Sequence, residues 1–502
     1  MSIERSSGIL LPISALPSKY GIGTLGKAAF EFIDFLQDSG QSWWQILPLS
    51  TTGYGNSPYQ SFSAFAGNPY FIDLDILIED HLLTKREVSA IDFGSNPTRV
   101  DYGKIYAARN SLLVLAAKRG LKQEQTDFQE FKSENAYWLN DFALFMVLKQ
   151  KFNMICWQDW PEQDLRNYVA TSVNKAEEIY QEDLVVICYI QFLFFKQWQK
   201  VREYAAEHQI KILGDIPLYV SLDSADVWSN VQYFQLNKNR IPIEVSGVPP
   251  DYFTADGQLW SNPLYDWSKL KEENYSWWIK RINFSNQIYD ALRIDHFRGL
   301  ESYWAIPNGE ITAKNGRWVK GPGMDLISVL KSTFPDFIFI AEDLGYQTEA
   351  VKELLAASGF PGMNVLQLAF DYRDAKNNPL PHDYVRNSVC YVGTHDNAPI
   401  MLWQNNARHE DVLRAIKYFG LNKKEGFNWG FIRGGLASVS DLFIGQMQDF
   451  LGLAANSRMN TPGSMENNWE WRLIKSQLSS ELAGKIKMYT EMFGRSNKNS
   501  KS

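Results

Sequence analysis

The chain is 502 residues long, with 50 basic against 57 acidic residues and a net charge of −7. Apart from a short tail it has no basic run, which argues against nucleic acid or an anionic membrane as a partner. Its three cysteines, Cys156, Cys188 and Cys390, form neither a CxxC pair nor a metal spacing and read as free thiols in a reducing compartment.

An apolar run begins near residue 8 and is broken almost at once by Pro12, so no secretory h-region is expected and the chain reads as cytoplasmic. Residues 8–14 predict a first strand and residues 27–36 a helix. Between them Gly21-Ile-Gly-Thr-Leu-Gly26 matches GxGxxG, but loop residues separate it from the strand and no acidic residue follows at the ribose position. A glycine-rich loop opening a helix is the better reading. Trp43-Trp-Gln-Ile-Leu-Pro-Leu49 predicts the second strand. The loop after it, Gly53-Tyr-Gly-Asn-Ser-Pro-Tyr-Gln60, sets aromatic rings beside small polar side chains. That composition suits a sugar ring with its hydroxyls held at the edge, and it equally suits a plain turn with packed tyrosines. Asn56, Ser57 and Tyr59 are the candidates there.

From about residue 80 to 206 the pattern is helical, with a long aromatic-rich helix over 191–209. The interval is too long for a single crossover and predicts an inserted helical subdomain. Its apolar tract at 184–195 is too short to span a bilayer and holds Gln191, so it reads as a buried helix. Strand character returns in Lys211-Ile-Leu-Gly-Asp-Ile-Pro217, with Asp215 near its end. Residues 246–263 read as a long irregular stretch, and such a stretch inside a compact domain is usually functional. It offers Pro249-Pro250 for stiffness, Tyr252, Phe253 and Trp260 for apolar cover, and Asp251 as a hydrogen-bonding group.

Asp290-Ala-Leu-Arg-Ile-Asp-His-Phe-Arg-Gly-Leu300 follows a helical segment at 277–289 and combines strand-forming residues with two arginines and a histidine. Strand period puts Ala291, Arg293 and Asp295 on one face. A guanidinium two residues before a carboxylate favours its ionised form, which an attacking carboxylate needs. A buried Arg–Asp pair that merely closes a polar layer fits the same residues. Residues 336–345 predict a further strand with Ile338, Ile340 and Glu342 on one face, and residues 362–370, 388–397 and 442–453 predict three more. Strands separated by helical segments, with Asp295, Glu342 and Asp396 at C-terminal ends, predict an α/β fold of the (β/α)8 TIM-barrel type, because barrel active sites collect on that face.

Four motifs carry a family resemblance: Asp290 to Leu300, Ile340-Ala-Glu-Asp-Leu-Gly345, Gly393-Thr-His-Asp-Asn397 and Arg458-Met-Asn-Thr-Pro-Gly463. Together they resemble the 4-alpha-glucanotransferase family, also called amylomaltase or disproportionating enzyme, a glycoside hydrolase family of the alpha-amylase clan. The resemblance runs from residue 8 to about 473. It implies one catalytic barrel body over 1–493, with inserted, mostly helical subdomains: a helical insertion at about 80–206 and an acceptor-side loop at about 246–263. It also implies retaining transfer of alpha-1,4-glucan segments from a malto-oligosaccharide or starch-type donor to the 4-OH of glucose or another glucan. The route is a covalent glucosyl-enzyme, with no cofactor. Asp295 resembles the nucleophile, Glu342 the acid/base and Asp396 the transition-state stabiliser. Tyr59, Asp215, Arg293, His296 and His395 fall on substrate-contacting positions, with Asn56, Ser57 and Asn468 beside them. The loop with Asp251 and Trp260 resembles the flexible segment that covers the acceptor sites.

The chain departs from that pattern in two places. Ala398 and Pro399 follow the His-Asp-Asn core where many relatives carry Asp and Thr, and Asn397 is expected to cap a helix with Pro399 in its first turn. Asn467 stands where a glycine usually precedes the Asn-Trp pair, Asn468 and Trp469. His296 and His395 are two of six histidines and have no spacing that points to a metal. The polar residues from Gly494 to 502 predict a disordered tail. The competing readings are an alpha-glucan hydrolase of the same clan and a non-catalytic glycan-binding protein; the intact carboxylate set argues against the second. Malto-oligosaccharides and alpha-1,4-glucans are the expected partners of a monomer or weak homodimer.

Overall fold

The computed structural model describes residues 3–123, 126–251, 254–371, 373 and 378–496. Its strands, in chain order, are β1 (Ser6–Leu10), β2 (Trp43–Gln45), β3 (Lys211–Ile216), β4 (Glu244–Val248), β5 (Gln258–Pro263), β6 (Ala291–Ile294), β7 (Ser302–Pro307), β8 (Arg317–Lys320), β9 (Ile338–Ala341), β10 (Gly362–Val365), β11 (Ser388–Tyr391) and β12 (Leu442–Gln446). Eight of these form one parallel sheet in the order β10-β11-β12-β1-β2-β3-β6-β9. Its two ends are drawn together where the Ala341 amide donates to the Pro361 carbonyl at 2.9 Å. The result is a (β/α)8 barrel. Strands covered on both faces carry apolar runs without alternation, and all five residues of β12 are buried. The apolar runs at 362–370 and 442–453, expected as single strands, each pass from a strand into a short helix, Leu366–Ala369 and Met447–Phe450. Buried strands and buried helical turns use the same residue types, so periodicity does not separate them.

Between β2 and β3 the helices Tyr102–Gly120, Ala136–Lys151 and Gln181–Glu207 build an aromatic-rich body. It is joined to the barrel wall by rings. Phe195 and Trp138 lie 5.5 Å and 5.9 Å from Phe284 of the helix Ser276–Ile288. Two buried amides complete the join. Gln191 accepts from the Gly67 amide at 2.8 Å and donates to the Gly67 carbonyl at 3.0 Å, and Gln197 does the same to Asp73 at 2.6 and 3.1 Å. A glutamine inside an apolar helix is costly unless both its donor and acceptor are satisfied. Here each one substitutes for a neighbouring strand and fixes the segment that follows the Gly53 to Gln60 loop.

The stretch at 246–263 is not irregular throughout. Its ends are β4 and β5, which join β7 and β8 in an antiparallel sheet ordered β5-β4-β7-β8. Gly247 makes this possible, because a Cβ there would stand 2.3 Å from the Gln258 carbonyl oxygen across the ladder. Pro249 and Pro250 have no amide to continue the pairing, so β4 stops before them. Tyr252 and Phe253 lie outside the described residues.

The GxGxxG loop is explained by packing. A Cβ at Gly21 or Gly23 would lie about 2.0 or 1.8 Å from the carbonyl oxygens of Phe93 and Ile13, and one at Gly26 would meet the Asp73 carboxylate. That carboxylate accepts from Thr24 Oγ1 at 2.6 Å, so an anion of the protein itself sits beside the start of the helix Lys27–Asp38. The expectation of a disordered tail from Gly494 onward fails at Arg495. Arg495 is fully buried, and its guanidinium donates to the carbonyls of Ser6, Leu436, Ser438, Ser440 and Asp441. Residues 497–502 lie outside the described residues. Among the described residues no helix is long and apolar enough to cross a membrane.

Candidate active site

The ladder between β3 and β6 pairs Asp215 with Arg293. Both side chains enter the barrel, where Arg293 Nη1 donates to the two Asp215 carboxylate oxygens at 2.9 and 2.7 Å. Arg293 Nη2 reaches on to Asp295 Oδ1 at 2.8 Å. The three residues grade from core to opening: the side chains of Asp215, Arg293 and Asp295 are 0, 3 and 29 % exposed. Burial works against the Arg293 charge, but Asp215 and Asp295 raise its pKa well above the ordinary range. A guanidinium fixed between two carboxylates presents Asp295 to the opening as an ion-paired anion.

Glu342 follows β9, the neighbour of β6. Its Oε2 accepts from the His296 amide at 2.7 Å and its Oε1 from the Leu344 amide at 3.0 Å, so its orientation is set by backbone. Part of its surface opens to the cleft, yet the packed floor strips most of its water. This desolvation raises its pKa to about 8, with Arg293 opposing the rise and the Asp295 charge adding to it. His296, held in the left-handed region at φ 56°, is pushed down to about 3 by burial and then by Arg298, and is therefore neutral.

Asp396 lies beyond β11. Its Oδ1 accepts from Asn460 Nδ2 at 2.6 Å, its carbonyl accepts from Arg458 Nη2 at 2.8 Å, and its side chain is 38 % exposed. Next to it, His395 Nε2 stands 2.9 Å from Tyr59 Oη, which donates to Asp215 Oδ2 at 2.8 Å. A phenol with its one proton directed to Asp215 must accept from His395, which fixes the proton on Nε2. His395 Nδ1 and His296 Nε2 are then two buried nitrogens with no hydrogen-bond partner among the described residues.

The loop after Asp396 departs from expectation. Asn397 does not cap a helix. Its Oδ1 turns back to accept from the Thr394 amide and hydroxyl, both at 2.9 Å, and the helix Ile400–Asn406 begins after Pro399. The cap comes from Asp449, whose Oδ1 accepts from the Ile400 amide at 2.7 Å. Asn467 takes up the left-handed conformation, φ 60°, that a glycine would adopt, and its Oδ1 accepts from Arg99 at 3.0 Å. Asn468 is engaged within its own loop, accepting from the Thr461 amide at 2.9 Å and donating to the Ser464 carbonyl at 2.8 Å.

These residues surround one open cleft of about 750 Å³ at the C-terminal ends of the strands. Ser57, Tyr59, Asp251, Trp260, Arg293, Asp295, His296, Glu342, His395, Asp396 and Asn468 all line it. Two expected residues do not. Asp215 lies beneath the floor, and Asn56 accepts from Tyr106 Oη at 2.6 Å beside a separate small cavity. Trp260 stands edge to face with His296, ring centroids 4.8 Å apart, while Asp251 Oδ1 accepts from the Thr254 amide at 2.8 Å. Sequence reasoning missed Asn460, although it lies inside a quoted motif, and Trp469, whose ring is 5.9 Å from Tyr59. It also missed Arg298, Trp318 and Tyr346, which share the cleft wall. Among the described residues no group of three His, Cys, Asp or Glu side chains could hold a metal ion.

Residues 11–477 match the family model described as 4-alpha-glucanotransferase. The chain is 47 % identical over 485 residues to the 4-alpha-glucanotransferase of Clostridium butyricum, covering 96 % of this chain and 99 % of that one. To the 4-alpha-glucanotransferase of Streptococcus pneumoniae it is 44 % identical over 499 residues, covering 99 % and 98 %. Among solved structures it resembles the amylomaltase from Streptococcus agalactiae in complex with acarbose, with a TM-score of 0.95, 39 % identity and coverage of 98 % and 100 %.

Proposed function

The chain belongs to the 4-alpha-glucanotransferase family, and from that membership we propose how its cleft moves a glucan segment. Asp295 attacks the anomeric carbon of an alpha-1,4-linked chain as protonated Glu342 gives its proton to the departing oxygen. The bond to the leaving chain breaks as the bond to Asp295 forms. Ionised Glu342 then takes the proton of an incoming 4-hydroxyl, on glucose or another glucan, and that oxygen displaces Asp295. Two displacements at one carbon retain the alpha configuration.

The other residues position the sugar. Asp396, oriented by Asn460, bonds ring hydroxyls more strongly as the ring distorts, so its contribution falls on kcat. His296 and His395 line the cleft beside Trp260 and Tyr59 and shape the pocket that takes the sugar. Asp215 acts from below, through Arg293 and Tyr59.

One observation carries this reading. A single cleft holds a carboxylate ion-paired to Arg293 beside a second carboxyl raised to about 8, and such a pair divides into nucleophile and acid. Malto-oligosaccharides and starch-type chains are the substrates we infer, and the acarbose complex of the structural neighbour supports a saccharide in this cleft. The isolated cysteines support a reducing, cytoplasmic setting.

Incubation with maltotriose alone tests the reading. Glucose together with chains longer than maltotriose marks transfer. Glucose and maltose with no longer chain marks hydrolysis, and no product at all marks a protein that only binds.

A further inference from the structure

Trp318 and Tyr346 form a second aromatic feature of the cleft, apart from Trp260 and from the carboxylates. Their rings are nearly parallel, 17° between planes and 6.3 Å between centroids, and they remain 37 and 62 % exposed. Large rings left open in a cleft wall lose apolar burial unless something covers them.

The pair is held from behind. The Arg298 guanidinium carbon lies 3.9 Å from the Trp318 ring centroid and 5.7 Å from that of Tyr346, and Arg298 Nη1 donates to the Tyr346 carbonyl. Arg298 itself is 4 % exposed, so it holds both rings from the protein side. Trp304, paired with Trp318 across β7 and β8, adds an edge-to-face contact at 5.1 Å, and its own indole is fixed on the Ala313 carbonyl at 2.8 Å. Two rings with set orientations and open surface are a preformed platform for the apolar face of a sugar.

The chain itself says on which side of the scissile bond the platform lies. Tyr346 belongs to the loop that runs on from Glu342, whose Oε1 is fixed by the Leu344 amide of that loop. The group that protonates the departing oxygen faces the leaving and incoming chain, whereas Asp396 follows β11 and Asn460 lies in the segment after β12. Trp318 is on the edge strand opposite the one that carries Trp260. Three strand spacings of about 4.8 Å put them roughly 14 Å apart across the sheet, further than one hexose reaches.

We propose that Trp318 and Tyr346, braced by Arg298, form a distal acceptor subsite that stacks a glucosyl unit beyond the one meeting Glu342. This rests on the transfer reading given above. A glucose acceptor does not reach the platform and a malto-oligosaccharide does, so the site biases transfer toward longer acceptors.

The experiment uses an unlabelled maltotriose donor with fluorescently labelled glucose or labelled maltotetraose as acceptor, in the wild-type, Trp318→Ala and Tyr346→Ala proteins. The expected result is that the kcat/KM ratio of maltotetraose to glucose falls about tenfold in each variant, the size of one lost stacking contact. Most of the fall should come from KM for maltotetraose. A ratio that stays within twofold of wild type in a transfer-active Tyr346→Ala protein overturns the subsite while leaving the functional reading intact. A wild-type protein that labels neither acceptor overturns the transfer reading itself, and the subsite with it.

Discussion

The amide of His296, the residue directly after Asp295, donates to Glu342 Oε2 at 2.7 Å. One turn of backbone thereby ties the carboxyl group of β9 to the end of the strand that carries the other. The same contact helps to stabilise ionised Glu342, against a desolvation that outweighs it and leaves the carboxyl at about 8.

That balance predicts the alkaline side of the pH profile. Glu342 must be protonated to assist the first step, so kcat/KM for maltotriose is full well below pH 8 and declines as pH rises through about 8. Glu342→Gln abolishes this alkaline limb and lowers kcat/KM by roughly 10²–10⁴-fold, the usual size of general acid catalysis. Release of fluoride from a glucosyl fluoride, whose leaving group needs little protonation, is much less affected. An alkaline limb that survives in Glu342→Gln assigns the ionisation to another group.

Asp215 predicts a loss of both stability and activity from a residue that does not touch solvent. Asp215→Ala removes the partner that Arg293 Nη1 holds through two hydrogen bonds and leaves a buried charge half paired. Breaking a buried pair in this way costs about 3–5 kcal/mol. Denaturant unfolding measures that loss, and steady-state transfer from maltotriose measures the accompanying fall in kcat as Arg293 and Tyr59 lose their anchor. A variant of unchanged stability would show that Arg293 finds a substitute partner.

The barrel and the carboxylates were legible because each left a local mark. Buried parallel strands produce apolar runs, and Asp295, Glu342 and Asp396 stand where those runs end. What was not legible depends on contacts made far along the chain. The Ile400 helix start is capped by Asp449, 49 residues later, so nothing near Asn397 reveals that its side chain turns back to Thr394. The sheet of β4, β5, β7 and β8 was hidden because Gly247 and the paired prolines look like loop residues until their strand partners are in place. The role of Gln191 was invisible for the same reason, since the amide it satisfies belongs to Gly67. Trp318 and Tyr346 belong to separate segments and meet only over Arg298.

Arg495 makes a stability prediction from a segment that reads as tail. Its guanidinium closes over carbonyls at the end of the helix Phe427–Ala437 and at the starts of β12 and β1. Arg495→Ala removes a buried, charge-assisted donor, although Arg5 still donates to the carbonyls of Leu436, Ser438 and Ser440 and the Ser6 amide to that of Asp441, so the expected cost is about 1.5–3 kcal/mol, the worth of a hydrogen bond to a charged group. Thermal unfolding should move to lower temperature. Far from the cleft, the change should leave KM for maltotriose as it was at temperatures where the protein is folded. A simultaneous rise in KM would mean that the strand starts and the cleft are coupled.

Trp260 bears on why transfer prevails over hydrolysis. Both reactions pass through one intermediate, so their ratio is set by which hydroxyl meets the anomeric carbon first. Water is far more abundant than any sugar, and an acceptor wins only when it is held in near-attack geometry and stray water is kept out. Trp260 sits on β5 at the cleft wall, its ring edge to face with His296 and its carbonyl within 3.5 Å of Gln60 Nε2. It therefore stands between the sheet and the Gly53 to Gln60 loop, beside the residue that orients Glu342. Trp260→Ala removes that apolar wall without touching Asp295 or Glu342. The hydrolysis-to-transfer ratio from maltotriose should rise about tenfold, the equivalent of roughly 1.4 kcal/mol of lost acceptor stacking and water exclusion. Single-turnover release from an activated glucosyl donor, which reports only the first displacement, should change much less. If that first step falls in parallel with transfer, Trp260 positions the donor, and acceptor preference has to come from the rest of the cleft.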